Sequence, residues 1–357
     1  MKIPWAIPNI IEEDKNFAKD IIDSGWYGMG NIVELFEKNM AKYIGVKHAI
    51  AVNNGTSAIE VLLRALNIGE GDEVIVPAYS YIATASAVNL IGAQPLFVDV
   101  DETMTINPEE IDKVITNRTK AIMCVDLTGN PCDYSKLLEK SKIYNVPLIV
   151  DGAQSLGSKY NNKSCLSYGI ASTTSFHAAK ILTTIEGGMI FTNDFELMKT
   201  IKKIRNQGEG ENKYLHEILG GNYRMTDVAA AFGIKQLERI EKTLKKREEK
   251  VDYYKKLLNG HVKYLDVKNN YSSYFIFPVF IKDRDKLYEF LKNNGIETRK
   301  IYPRTIPKQP LYKNRENFPV AEKFCRETLS LPLYDKISFE EIEYVCNKIK
   351  EFLIKIK

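Results

Sequence analysis

Short apolar runs alternate along the chain with longer stretches whose apolar positions recur at helical spacing. Ala49 to Asn53, Glu73 to Val76, Pro95 to Asp99, Lys120 to Leu127, Pro147 to Asp151, Thr173 to Phe176 and Met189 to Thr192 read as buried strands. Ala58 to Leu66, Tyr81 to Leu90, Tyr134 to Tyr144 and the run from the capping Asp194 to Arg205 read as helices between or beyond them. Upstream, Glu12 to Ser24 and Ile32 to Tyr43 are helical and flank a turn-rich Gly25 to Gly30. Asn107, Pro108 and Glu110 mark a helix start, with an N-cap, a proline at the first helical position and a capping-box glutamate. Such alternation builds successive βαβ units, so the fold class is α/β with a mostly parallel sheet.

From Thr226 a helical pattern runs to Gly260, and its charge-dense middle reads as the solvated face of one connecting helix. Beyond it, Tyr271 to Ile281 is a strand, Asp283 to Asn294 a helix, Ile296 to Ile301 a strand, and a last helix begins near Ser338. The expected division is a large domain over residues 1–240, with an extended N-terminal arm, and a small C-terminal α+β domain over 241–357.

Candidate chemistry sits at the strand ends. Lys180 falls on the irregular turn between the sixth and seventh apolar runs, and Asp151 closes the fifth, followed by Gly152, Ala153 and Gln154. In open α/β sheets ligands bind at the carboxyl ends of the strands, so acid and lysine point to one site. A lysine that condenses with an aldehyde, and an acid that keeps a pyridine nitrogen protonated, are what pyridoxal phosphate (PLP) chemistry needs. Read singly, each is also an ordinary residue: a strand-end acid caps the next turn and a loop lysine is solvated. Gly55, Thr56 and Ser57 stand between the first strand and the helix after it, where glycine admits close approach, a hydroxyl caps, and free N–H groups face an anion.

Composition narrows the field. The chain has 357 residues, 44% hydrophobic content and a net charge of +4 with acids and bases interspersed, so nothing marks a nucleic-acid partner. Five scattered cysteines, Cys124, Cys132, Cys165, Cys325 and Cys346, form no CxxC pair; they read as reduced core thiols of a cytoplasmic protein, with no metal site. An N-terminus broken by Pro4 and Pro8 does not read as a signal peptide, and no apolar run reaches membrane-span length.

Six motifs, in order, carry a resemblance: Ser24-Gly25-Trp26, Gly55-Thr56-Ser57-Ala58, Val150-Asp151-Gly152-Ala153-Gln154, Ser175-Phe176-His177 with Lys180, Glu186-Gly187-Gly188, and Asn222-Tyr223-Arg224-Met225. The chain resembles the DegT/DnrJ/EryC/StrS sugar aminotransferases over nearly its whole length. The resemblance implies an aspartate-aminotransferase-like fold, PLP as cofactor, and a homodimer with shared sites. It implies that Lys180 is the Schiff-base lysine and proton carrier, that Asp151 meets the pyridine nitrogen, and that Gln154 reaches the cofactor 3-hydroxyl. Tyr81 would stack on the ring, while Gly55, Thr56, Ser57 and Ser175 hold the phosphate together with Asn222 of the partner subunit. His177 would lie close to Lys180 and count with it and Asp151 among the catalytic residues. The implied substrates are L-glutamate (or glutamine) and a nucleotide-linked keto sugar.

Two departures stand out. Ile185 occupies a position where the family usually has glycine, so the loop is expected to take another shape, because isoleucine adopts positive φ only with strain. Pro307 stands where histidine is common, in a loop that bears on the sugar. A sugar dehydratase of the same family would carry histidine at Lys180, and a non-catalytic regulator would have no need of Lys180, Asp151 and Gln154 together.

Overall fold

The computed structural model describes residues 2–267, 270–312 and 316–355. Nine strands precede the C-terminal part: β1 His48–Val52, β2 Glu73–Pro77, β3 Gln94–Val98, β4 Thr119–Val125, β5 Leu148–Asp151, a two-stranded ribbon of β6 Lys159–Tyr160 and β7 Lys163–Ser164, then β8 Ala171–Ser175 and β9 Gly188–Thr192. Seven of them form one sheet in the order β1-β9-β8-β5-β4-β2-β3. Only β9 runs against the rest, antiparallel to both β1 and β8. The carboxyl ends of β1, β2, β4, β5 and β8 therefore open on one edge, and the segments carrying Gly55, Tyr81, Gln154 and Lys180 leave from it.

Both faces of the sheet are covered, which is why its strands are apolar almost throughout. Alternate residues serve opposite cores. Ile50, Val52, Val74, Val76 and Ile149 pack on one side with the helices Gly55–Ala65 and Ala83–Leu90. Ile75, Cys124, Leu148 and Val150 face the other, and Ala49, Ala51, Met189 and Phe191 pack there with the helix Asn31–Ile44.

A third core joins the helices Ile240–Leu258, Arg284–Asn293 and Phe339–Lys355 to the sheet of β10 Lys263–Tyr264, β11 Phe277–Phe280 and β12 Thr328–Leu331. The N-terminal arm is tied into this core. Ile3 is fully buried in it, the Ile3 amide donates to Gly295 O at 2.8 Å, and Trp5 Nε1 donates to Ser330 Oγ at 2.9 Å.

Several elements differ from the sequence pattern, each for a tertiary reason. The long helix is two, Asp227–Leu237 and Ile240–Leu258. At the break, the Arg239 guanidinium holds the Asp14 carboxylate through bonds of 2.6 and 2.7 Å and donates to Asn9 O, which a straight helix would not present. Ile296 to Ile301 is not a strand but makes single bridges, Ile3 to Ile296 and Arg299 to Ser330. The strand expected from Tyr271 shrinks to β11, because residues 273–275 spend backbone groups on side chains. The helix Pro319–Glu327 and β12 leave little mark in the apolar pattern.

Candidate active site

Register places the candidate residues side by side. Asp151 pairs with Thr173 across β5 and β8, and Ser175 pairs with Gly188, which also faces Val52 at the end of β1. The helix Gly55–Ala65 starts just past that point. Its N-cap is Asn54, whose side chain accepts from Ser57 N at 2.8 Å, rather than the Thr or Ser of the motif. The cap consumes the Ser57 amide, so the amides of Gly55 and Thr56 are the first-turn donors it leaves for an anion. Glycine is required at position 55: a Cβ there would lie 2.8 Å from the Ser175 Cβ. The Ser175 side chain is thereby brought against the helix start, and its hydroxyl accepts a long bond from His177 N at 3.4 Å.

Asp151 is buried, with Thr84 Oγ1 donating to Oδ2 at 2.8 Å and Ala153 N to Oδ1 at 3.2 Å. Burial pushes its pKa up, and these two donors and the Lys180 charge oppose the shift only in part. Among the described residues no cation lies within ion-pair distance of it. Desolvating a carboxylate costs on the order of several kcal/mol, so this one is set for a positively charged hydrogen-bond donor. A protonated pyridine nitrogen has that chemistry.

Lys180 is half-buried on the turn after β8, its amide donating to His177 O at 2.8 Å. Burial holds its amine down at about 8, with the Asp151 charge pulling the other way. The Nζ lies 4.6 Å from the centre of the Phe275 ring. Lys180, Gln154, Ser175 and Phe275 line one small cavity. Gln154 is fixed at both ends: Thr128 N donates to its Oε1 at 2.8 Å, and its Nε2 donates to the Tyr302 hydroxyl at 3.2 Å.

Tyr81 stands just before the helix Ala83–Leu90 rather than inside it, exposed, with its ring centre 5.9 Å from that of Tyr302. The His177 ring turns outward. Its Nδ1 accepts from Ala179 N at 3.2 Å, and its Nε2 lies 3.7 Å from Glu186 Oε1, so its link to Lys180 runs through the backbone. Asn222 is exposed on a segment bridged to Asn206. Ile185 has φ +73°, so the loop keeps a left-handed residue there despite the β-branched side chain. The backbone thus adopts the positive φ that an isoleucine reaches only with strain. The Thr183 hydroxyl, which bonds both Ile185 N and Phe176 O, helps to hold the strained residue in place.

Two residues that the sequence pattern did not single out complete the site. Tyr302 comes from the C-terminal part, its amide donating to the Tyr79 hydroxyl at 2.9 Å. Thr84 supports Asp151. Both reach the site through contacts distant in sequence, for which periodicity gives no signal. The residues present fit PLP: an amine that burial keeps reactive, a buried carboxyl lacking a cation, and free helix N–H groups with a hydroxyl beside them.

Residues 8–350 match the DegT/DnrJ/EryC1/StrS aminotransferase family. The chain is 38% identical over 359 residues to a GDP-perosamine synthase of Escherichia coli O157:H7, covering 98% of each. It is 36% identical over 338 residues to a dTDP-3-amino-3,6-dideoxy-alpha-D-galactopyranose transaminase of Aneurinibacillus thermoaerophilus, covering 93% of each. Among solved structures, a Streptococcus pneumoniae protein in its PLP form superposes with a TM-score of 0.94 at 28% identity, covering 100% of both chains.

Proposed function

Because the chain belongs to the DegT/DnrJ/EryC1/StrS aminotransferase family, which includes PLP-dependent sugar aminotransferases, we propose that it moves an amino group from L-glutamate (or glutamine) to a nucleotide-linked keto sugar. The sugar is of the 3- or 4-keto-6-deoxy class, and the product serves amino-sugar or glycan biosynthesis in the cytoplasm. The observation that carries the reading is the convergence of Lys180, Asp151 and Gln154 beside the start of the helix Gly55–Ala65, where the Asn54 cap leaves the Gly55 and Thr56 amides for an anion.

Bound PLP supplies an electron sink for the carbon that gives or takes the amino group. Lys180 holds the cofactor covalently; once released, its Nζ carries a proton to and from that carbon, a task suited to an amine held at about 8. Asp151 keeps the proton on the pyridine nitrogen. Gln154, its carbonyl engaged by Thr128 N and one amide hydrogen by the Tyr302 hydroxyl, directs the other amide hydrogen at the 3-hydroxyl. The amides of Gly55 and Thr56 and the hydroxyls of Ser57 and Ser175 bind the phosphate. Tyr81 covers the ring, and the His177 carbonyl holds the Lys180 amide on its turn.

The site is completed by a second copy of the chain, with Asn222 of the partner subunit reaching the phosphate. Exposed apolar side chains near Asn222 in sequence support the pairing: Leu219 is 85% exposed, and Tyr214 and Leu215 are exposed before it, as Trp26 and Tyr27 are near the N-terminus. The protein would be loaded with PLP and glutamate and offered a panel of keto-sugar nucleotides, with amino-sugar formation read by mass spectrometry. Turnover of one of them is expected. Cofactor uptake without turnover of any would refute the sugar assignment.

A further inference from the structure

Resting on the assignment of Lys180 as the lysine that holds the cofactor, we infer that Phe275 is a further residue of this active site. Its ring is the seat that receives the Lys180 ammonium whenever that lysine is unbound, and Arg247 is the positioning residue that fixes the ring there.

The geometry is local and over-determined. The ring centre lies 4.6 Å from Lys180 Nζ, within range for a cation over an aromatic face, and Phe275 itself is buried. Both residues line the two small cavities that flank the lysine. The segment that delivers the ring is irregular and clamped from three sides. Tyr274 has φ +47°, rare for a residue other than glycine, and its amide donates to Ser272 Oγ at 3.0 Å. Ser273 N donates to Ser158 Oγ at 3.0 Å, and that hydroxyl donates to Gly129 O at 2.7 Å. Gly129 has φ +90°, and a Cβ on it would lie 2.8 Å from Ser273 Oγ and 3.1 Å from the amides of Tyr274 and Phe275.

The third clamp is Arg247, from the helix Ile240–Leu258. Its guanidinium is buried and, among the described residues, has no carboxylate within ion-pair distance; burial lowers its pKa to about 10, with Asp335 opposing. It spends its donors on carbonyls instead: Nε and Nη2 on Tyr274 O at 3.0 Å each, Nη2 on Phe275 O at 2.8 Å and, at 3.4 Å, on Leu333 O. A buried cation is costly to keep, and this one fixes the two carbonyls that flank the Phe275 Cα, so that the side chain between them is held against the lysine.

The chemistry explains why a ring suits the position. A lysine that carries protons must be stable both as amine and as ammonium. A second carboxylate beside it would trap the proton, and a purely aliphatic wall would refuse the charge. An aromatic face lies between these extremes. The other charged groups around Lys180 are Asp151 on β5, which the cofactor nitrogen engages, and Asp335 and Arg247 across the cavity behind it.

The test reads the free amine of Lys180 in cofactor-free full-length protein, through the pH dependence of its acylation rate followed by peptide mass spectrometry. Phe275→Leu should lower the apparent pKa, shifting the amine–ammonium ratio by about 3–10-fold toward the amine. Phe275→Tyr, which keeps the aromatic face, should restore the wild-type value. Arg247→Lys, which keeps a charge but cannot span both carbonyls, should shift it as Phe275→Leu does, with no further shift in the double variant. An unchanged value in Phe275→Leu, or equal values for Leu and Tyr, would overturn the inference. PLP uptake is measured in parallel: failure of the wild-type chain to bind PLP at Lys180 would defeat the functional reading, whereas normal uptake with an unmoved pKa would defeat only the role of Phe275.

Discussion

The side-chain amide of Gln154 donates to the hydroxyl of Tyr302 at 3.2 Å, joining two residues 148 positions apart. One follows a strand of the central sheet and the other belongs to the C-terminal part. The bond makes the orientation of Gln154, and whatever Gln154 contacts, depend on how that part is seated. Tyr302→Phe leaves the Gln154 Nε2 without this partner in a buried setting, for a loss of about 1–2 kcal/mol. A lower urea midpoint at unchanged slope is the expected measurement, and an unchanged midpoint would show that the bond carries no net stability.

Asp151→Asn should fold and bind PLP, since an amide fits the same space, yet lose several orders of magnitude in turnover. Without the carboxylate the pyridine nitrogen gives up its proton and the electron sink weakens. Steady-state kinetics decide it: a variant keeping more than about a tenth of the rate, under roughly 1.4 kcal/mol of barrier, would remove Asp151 from the role.

Burial sets Lys180 at about 8, below its ordinary 10.5. The amine is the reactive form, so the rate at which cofactor-free protein captures PLP should rise roughly tenfold between pH 7 and 9 and then level off. An unperturbed lysine would keep climbing. For stability the sign follows from proton counts: between about pH 8 and 10.5 the unfolded chain binds more protons at this residue than the folded one. Its contribution therefore makes the protein more stable as pH rises through that window. Stopped-flow absorbance and melting curves across this range test both statements.

Ile185 is 51% exposed at φ +73°, so its backbone is strained while its side chain buries little. Ile185→Gly relieves about 1–2 kcal/mol of strain and returns part of it as chain entropy. The net expectation is a gain of about 0.5–1 kcal/mol, read as a higher melting temperature. A lower one would mean that the side chain is held by a surface outside this chain.

A shared site predicts complementation. Lys180→Ala and Asn222→Ala chains, each impaired alone, should recover activity on mixing, because one site of the heterodimer then carries both lesions and the other neither. Native mass spectrometry of tagged chains would establish exchange. Exchange without recovery would show that Asn222 does not act across subunits.

The strands of the central sheet and Asp151, Gln154, Lys180 and the Gly55 turn were legible in the sequence. Buried parallel strands are apolar on both faces, and residues at their carboxyl ends must meet at one edge. The ordered motifs went further and implied the family and PLP. Tertiary structure decided what periodicity does not encode. The long helix breaks at Arg239, where Asp14, far away in sequence, offers a bidentate partner. Asn54, not Thr56 or Ser57, took the cap, since that depends on which side chain reaches the third amide of the helix. Ile185 kept a left-handed backbone because the hydroxyl of Thr183 and the strands on either side fix that loop at both ends. Tyr302 and Phe275 entered the site from the C-terminal part because folding, not sequence proximity, brings their loops against Gln154 and Lys180.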